Sequence, residues 1–195
     1  FVENRDDRPF FLHVCYTYPH ANNEMGRDTG DGMQTPSHEP YDAEDWPQPE
    51  KGFAAMITRM DRDVGRILDA LKARGVDRNT LVIFASYNGP HREGGHDPNF
   101  FSSSGPLRGI KRDLYEGGIR VPALAWWPGT IRGGQVSDQV WAFWDVLPTL
   151  AELAGVQAPS GLDGRSIVPA LLGKELPQHE FLYWEFHEGR FAQAV

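Results

Sequence analysis

Apolar residues follow two patterns along this chain. Between Gly52 and Gly75 they recur at three-to-four spacing, at Phe53, Met56, Ile57, Met60, Val64, Ile67, Leu68 and Leu71. That period puts them on one stripe of an α-helix over "KGFAAMITRMDRDVGRILDALKARG". Arg59, Asp61, Arg62, Asp63, Asp69 and Lys72 fill the opposite, solvated face, and Gly75 stands where a C′ glycine ends a helix. Elsewhere the apolar residues form short unbroken runs: "PFFLHVCY" from Pro9 to Tyr16, "LVIFAS" after the turn "VDRNT", and "VPALAWW" from Val121. Runs of that length, rich in β-formers, predict buried strands. Helix, short turn and apolar strand in succession predict an α/β unit with a mostly parallel sheet. "WDVLPTLAELAG" reads as a further helix ended by Gly155, "GRSIVPALLG" as a shorter one, and "EFLYWEF" opens another strand.

The segments between these runs are polar and rich in turn residues. "TYPHANN" is a loop, Glu24 to Glu50 is a long surface loop, and Gly89 to Gly118 is a glycine-rich loop. The length of 195 residues suits one large domain or most of one. A net charge of -8, spread along the chain, excludes the basic stripe that nucleic acid requires. The single cysteine, Cys15, rules out a disulfide framework and reads as a buried strand residue. No run reaches the ~18 apolar residues of a membrane span. The opening "FVENRDDRPF" has no targeting character, and the chain stops in a strand-like run at "EFHEGRFAQAV". We therefore expect an internal piece of a longer protein.

In open α/β sheets, ligands sit beyond the carboxyl ends of strands. The loop after the first predicted strand carries His20, and the loop after the second carries Asn88, His91, Glu93, His96 and Asp97. A third loop carries Lys111, Arg112, Asp113, Glu116 and Arg120. Cations, a carboxamide and imidazoles together suit an anion held near a hard metal ion. They do not suit zinc, since there is no cysteine cluster and no His-x-x-x-His on a helix.

Four stretches, "PFFLHVCYTYPHAN", "NTLVIFASYNGPHREGGHDP", "GPLRGIKRDLYEGGIRVPALAWWPG" and "DVLPTLAELAG", together resemble the formylglycine-dependent sulfatases. The "GPLRGIKRDLYEGGIRVP" block is the most specific of them. The resemblance implies an α/β fold, the alkaline-phosphatase-like sandwich with a mostly parallel mixed sheet flanked by helices. Residues 1–180 would be the C-terminal portion of the catalytic domain, and 181–195 the start of a small C-terminal subdomain. It also implies a calcium ion (Ca2+), with Asn88 as one ligand. Lys111 would hold sulfate oxygens, and His20 would contact the sulfate or the leaving oxygen. The partner would be a sulfated small molecule or glycan, and the compartment periplasmic, secreted or lysosomal. Oligomeric state is left open.

Two departures stand out. Tyr87 occupies the position of the family's metal-ligand aspartate, and a neutral phenol is a poor calcium ligand. This predicts weakened metal binding. The nucleophile motif, Cys or Ser followed by x-P-x-R, is absent from its expected context, so the formylglycine is expected outside this chain. "SGPLR" at Ser104 fits the letters but falls inside the lysine-loop block. His91, Glu93, His96 and Asp97 admit two readings, as pocket-lining substrate contacts or as a network that stiffens a glycine loop. Glu116 and Arg120 are expected to form a salt bridge, Trp126 and Trp127 to serve as core or domain-contact residues, and Asp145 to cap a helix. Function is thus expected to be sulfate monoester hydrolysis. The rivals are a non-catalytic homologue that binds sulfated ligands, a phosphomonoester or phosphonate hydrolase of the same superfold, and a purely structural α/β module.

Overall fold

The computed structural model describes residues 1–4, 6–189 and 191–195 of the chain. Helix α1, Asn23–Thr29, lies within the stretch expected to be a surface loop; Asn22 caps it by accepting from the Met25 N–H, and Gly30 ends it at φ 80°. Helix α2, Gln48–Ala73, begins just ahead of its first periodic residue, with a proline in its opening turn, where a missing N–H costs nothing. Phe53, Ala55, Met56 and Leu71 are buried on its inner stripe, while Val64, Ile67 and Leu68 are half-buried. Phe53 and Met56 pack with Ala21 and Met33, flanked by Tyr18 and Phe101. Met33 is fully buried, so the segment from Glu24 to Glu50 is not wholly surface as expected. It lies flat on α2 because Gly52 has no side chain; a Cβ there would come within 2.2 Å of the Met33 carbonyl oxygen.

Strand β1, Val82–Ala85, is followed by the glycine-rich loop, a single turn of helix α3, Glu116–Ile119, and strand β2, Ala123–Trp126. β1 and β2 pair antiparallel, with Val82 opposite Trp126 and Ala85 opposite Ala123. The expectation of a mostly parallel sheet is not met among the described residues, where both ladders are antiparallel. The physical reason is the connection: a parallel return needs a crossover helix packed on the sheet, and the chain between β1 and β2 is loop with one helical turn. "PFFLHVCY" forms no strand; Phe11 and Val14 are exposed, and Cys15 is exposed rather than buried. Burial of a β-forming run comes from its neighbours, and no ladder among the described residues includes this one.

The C-terminal part holds α4, Val146–Leu153, α5, Val168–Leu171, and the antiparallel pair β3, Trp184–Phe186, and β4, Ala192–Ala194. Asp145 sits at the start of α4 but does not cap that helix with its side chain. Its buried carboxylate instead accepts from the Ala142 and Arg165 N–H groups and from His179 Nε2.

The loop after β1 is fastened to the first turn of α2 by a buried carboxylate. Glu50 accepts from His96 Nδ1 at 2.6 Å and from the Asp97 N–H at 2.8 Å. The His96 ring lies flat on Phe53, with centroids 3.8 Å apart and planes 9° from parallel. With Nδ1 directed at Glu50, His96 Nε2 is left without a hydrogen-bond partner in its buried position among the described residues. Replacing Glu50 with alanine strands the buried His96 N–H and the part-buried Asp97 N–H. We expect Glu50→Ala to cost roughly 2–4 kcal/mol of stability, read as a lowered urea midpoint; an unchanged midpoint contradicts this role.

Candidate active site

Close backbone contacts bring together the three loops singled out from the sequence. Asn88 and Gly89 follow β1 directly, and the Gly89 N–H donates to the Gly118 carbonyl at 2.8 Å. A Cβ on Gly89 would lie 1.9 Å from the Gly117 carbonyl oxygen, so this approach requires glycine. The Gly117 N–H binds the Arg108 carbonyl, and the Lys111 N–H binds the Pro90 carbonyl at 2.8 Å. The lysine loop is thereby stitched to the turn after β1. His91 joins the first loop to the second: its Nε2 meets the Pro19 carbonyl at 2.9 Å, and its Nδ1 accepts from the Glu93 N–H at 3.2 Å. These partners assign the proton to Nε2. Burial pushes the His91 pKa below the ordinary imidazole value, which keeps the ring neutral; the Pro19 carbonyl opposes that shift, and neighbouring His96 and Lys111 add to it.

Lys111 Nζ ends 3.3 Å from His20 Nε2 and 3.0 Å from a Glu93 carboxylate oxygen. His20 Nδ1 lies 2.8 Å from the Ala21 carbonyl, so Nδ1 bears the proton and Nε2 accepts from the ammonium. The same Glu93 oxygen is 3.8 Å from His20 Nε2. Its other oxygen accepts from Arg112 Nη1 at 2.6 Å. Lys111 is 14% exposed and Glu93 12%, whereas His20 is 37% exposed, so the cluster opens to solvent on the imidazole side. Burial raises the Glu93 pKa, but hydrogen bonds and charge from Arg112 and Lys111 outweigh it, and the carboxyl is lowered to about 2.

The remaining sequence candidates separate. Glu93 belongs to the cluster and His91 to its support. His96 is buried against Glu50 and offers no surface to a ligand, because its ring is stacked between the loop and α2. Asp97 is exposed and pairs with Arg92 at 3.2 Å; the Asn99 backbone N–H above all holds its carboxyl below the usual value. Asn88 donates through Nδ2 to the Gly89 carbonyl, leaving Oδ1 without a hydrogen bond among the described residues. Tyr87 is 72% exposed and does not plug the site. Ser104 donates its hydroxyl to the Gly109 carbonyl. Glu116 and Arg120 do pair, at 3.6 Å, but both are well exposed, so the bridge contributes little. Trp127 donates its indole N–H to the Arg78 carbonyl. Glu50 and Glu188, which holds Arg112, carried no signal in the sequence, since neither lies in a stretch that carries the family resemblance.

Calcium takes six to eight oxygen ligands. Among the described residues no group of three or more His, Cys, Asp or Glu side chains could hold a metal ion, and the residue before Asn88 is Tyr87, a phenol rather than a carboxylate. The residues of this chain do not by themselves fit a calcium ion.

The family model described as Sulfatase matches residues 1–156. The chain belongs to the sulfatase family. This sulfatase chain is 34% identical to steryl-sulfatase of Rattus norvegicus over 192 residues, which is 94% of this chain and 30% of that protein. It is 38% identical to N-acetylgalactosamine-6-sulfatase of Canis lupus familiaris over 134 residues, covering 68% of this chain and 25% of that protein. It thus spans about a third or less of the length of these curated relatives. Among solved structures it resembles Ps i-CgsB in complex with k-i-k-neocarrahexaose, with TM-score 0.78 and 29% identity, covering 96% of this chain and 39% of that one. It also resembles BT4656 in complex with its substrate D-glucosamine-2-N,6-O-disulfate, with TM-score 0.60 and 26% identity, covering 73% of this chain and 27% of that one. These neighbours place the sulfatase chain in the alkaline-phosphatase-like α/β class.

The low Glu93 pKa has a pH consequence. Its carboxyl drops from the ordinary 4.5 to about 2 on folding, so between those values the unfolded chain binds more protons than the folded one. The carboxylate's contribution to stability is complete above pH 4.5 and is lost as pH falls towards 2. Glu93→Gln should lower stability near neutral pH and flatten the acid limb between pH 4.5 and 2 in denaturant titrations. An acid limb as steep as that of the parent protein contradicts this assignment.

Proposed function

We propose that the complete protein hydrolyses sulfate monoesters and that this chain supplies the cationic cradle for the sulfate and the proton for the departing alcohol. The observation that carries this reading is the meeting of Lys111 with His20, from segments 91 residues apart, in a member of the sulfatase family. Cleaving the S–O bond loads negative charge onto the bridging oxygen. An ammonium held in a largely buried position stabilises such charge far better than one in water. In the resting cluster Lys111 donates to Glu93 and to His20. A bound sulfate would compete with Glu93 for that ammonium. His20 Nε2 faces the cluster as an acceptor, so it must gain a proton before it can give one to a leaving oxygen. The His20 side of the cluster is open to solvent, from which that proton would come.

We place the formylglycine nucleophile and the acidic calcium ligands on parts of the protein outside this chain, with Asn88 contributing one oxygen. The rest of the mostly parallel sheet belongs to those same parts in this reading. We place the small C-terminal subdomain from residue 181, and the setting is periplasmic, secreted or lysosomal. The complexes of Ps i-CgsB with a neocarrahexaose and of BT4656 with a disulfated glucosamine support a sulfated glycan as the substrate class. Tyr87 favours a second reading, a homologue that binds sulfated ligands without cleaving them.

Steady-state kinetics of the full-length protein test the first reading. Lys111→Ala should lower kcat/KM for sulfate esters by about 10²–10³-fold. His20→Ala should cost about 10²-fold on a sugar sulfate and much less on a nitrophenyl sulfate, whose leaving group needs no proton. Equal loss on both esters removes His20 from the acid role, and faster turnover of matched phosphate esters overturns the sulfatase reading. Calcium titration tests the second reading: the parent protein should bind weakly and Tyr87→Asp tightly. Tight binding by the parent protein rules out a metal defect at Tyr87.

A further inference from the structure

Arg112 follows Lys111 directly, and its backbone lies at φ 79°, in the left-handed region that a bulky side chain rarely adopts. Among the described residues only Ser102 shares a positive φ without being glycine. That unfavourable turn brings the guanidinium onto the same carboxylate that Lys111 uses. Lys111 holds one Glu93 oxygen at 3.0 Å and Arg112 holds the other at 2.6 Å. The two cations therefore flank a single carboxylate, one on each of its oxygens. They differ in access: Lys111 is 14% exposed and Arg112 is 43% exposed. On its outer side Arg112 already holds an anion. Both Glu188 oxygens lie on Nε, at 2.9 and 3.0 Å, and this glutamate, in the turn between β3 and β4, is 63% exposed. Nη2 has no hydrogen bond among the described residues, so the fork retains a free donor.

We propose that Arg112 is a second anion-binding site beside Lys111, reading a second sulfate on the glycan whose scissile sulfate Lys111 holds. Glu188 occupies this site in the resting protein and gives way to the ligand. The substrate class becomes a glycan with two sulfates close together. This inference rests on the sulfatase reading of the Lys111 cluster. Charge-assisted hydrogen bonds to a planar fork supply the discrimination.

The test uses the full-length protein and two ligand pairs that differ by one sulfate: glucosamine 6-sulfate against glucosamine-2-N,6-O-disulfate, and a mono- against a disulfated galactose-based disaccharide. Binding is measured by calorimetry and turnover by sulfate release. The parent protein should prefer the disulfated member of at least one pair by roughly tenfold or more, and Arg112→Gln should abolish that preference by weakening the disulfated ligand far more than the monosulfated one. Arg112→Lys should fall between them. Glu188→Gln separates a binding site from a structural clamp: removing the competing anion should tighten the disulfated ligand, whereas a clamp predicts weakening like that of Arg112→Gln. No preference in the parent protein, equal loss on both members, or weakening by Glu188→Gln overturns the proposal. Discriminating binding without sulfate release upholds the second site and overturns the hydrolase reading alone. Failure to bind either pair overturns both.

Discussion

The carboxylate of Glu93 is where distant stretches of this chain meet. One oxygen takes the Lys111 ammonium at 3.0 Å and faces His20 Nε2 at 3.8 Å, while the other takes Arg112 at 2.6 Å. With 12% of its side chain exposed, Glu93 is a largely buried charge that is tolerable only because cations surround it. The dependence is mutual. Without Glu93, two adjacent cations would repel each other beside an imidazole with nothing to hold them in register. The cluster is accordingly stable at rest and poised for exchange, since any anion that replaces Glu93 at Lys111 finds donors already aimed.

The apparatus that sets this geometry lies beneath it. Glu50, in the first turn of α2, pins His96 and the Asp97 N–H, and the flat stack of His96 on Phe53 fixes the end of the loop. His91 then reaches from that loop to the Pro19 carbonyl, one residue before His20. The glycines at 89, 117 and 118 let the lysine loop lie against the turn after β1 with no side chain between them. Loop residues thus gain the precision of a rigid element by being anchored to the longest helix of the chain, which is how a functional site on loops keeps its shape.

Local periodicity made α2 legible: its apolar stripe and closing glycine are encoded within consecutive turns. The short runs around Val82, Ala123 and Trp184 became strands for the same reason. "PFFLHVCY" did not, because burial of a strand belongs to its neighbours, and Phe11, Val14 and Cys15 lie open where a partner is needed. The direction of pairing between β1 and β2 was likewise invisible in either run and was set by the loop between them. At the site, Lys111 and His20 were readable through family motifs. Their counter-ion could only be placed among several polar loop residues, and Glu50 and Glu188 had no local pattern at all. Contacts between residues 46 or 76 positions apart leave no trace in spacing.

Tyr87 and the Lys111 cluster pull in different directions. In the proposed reading, the cationic half of a sulfate site is assembled here and held tightly, while the metal half offers one carboxamide oxygen and an exposed phenol. Retention of the anion cradle is common to a hydrolase and to a binding protein, so the cradle itself is the claim on which both depend. A crystal structure of the full-length protein with inorganic sulfate tests it most directly. The account predicts an anion whose oxygens lie within ~3.2 Å of both Lys111 Nζ and His20 Nε2, with Glu93 displaced from the ammonium. Sulfate bound elsewhere, with the Lys111–Glu93 pair and the Lys111–His20 contact intact, would contradict it.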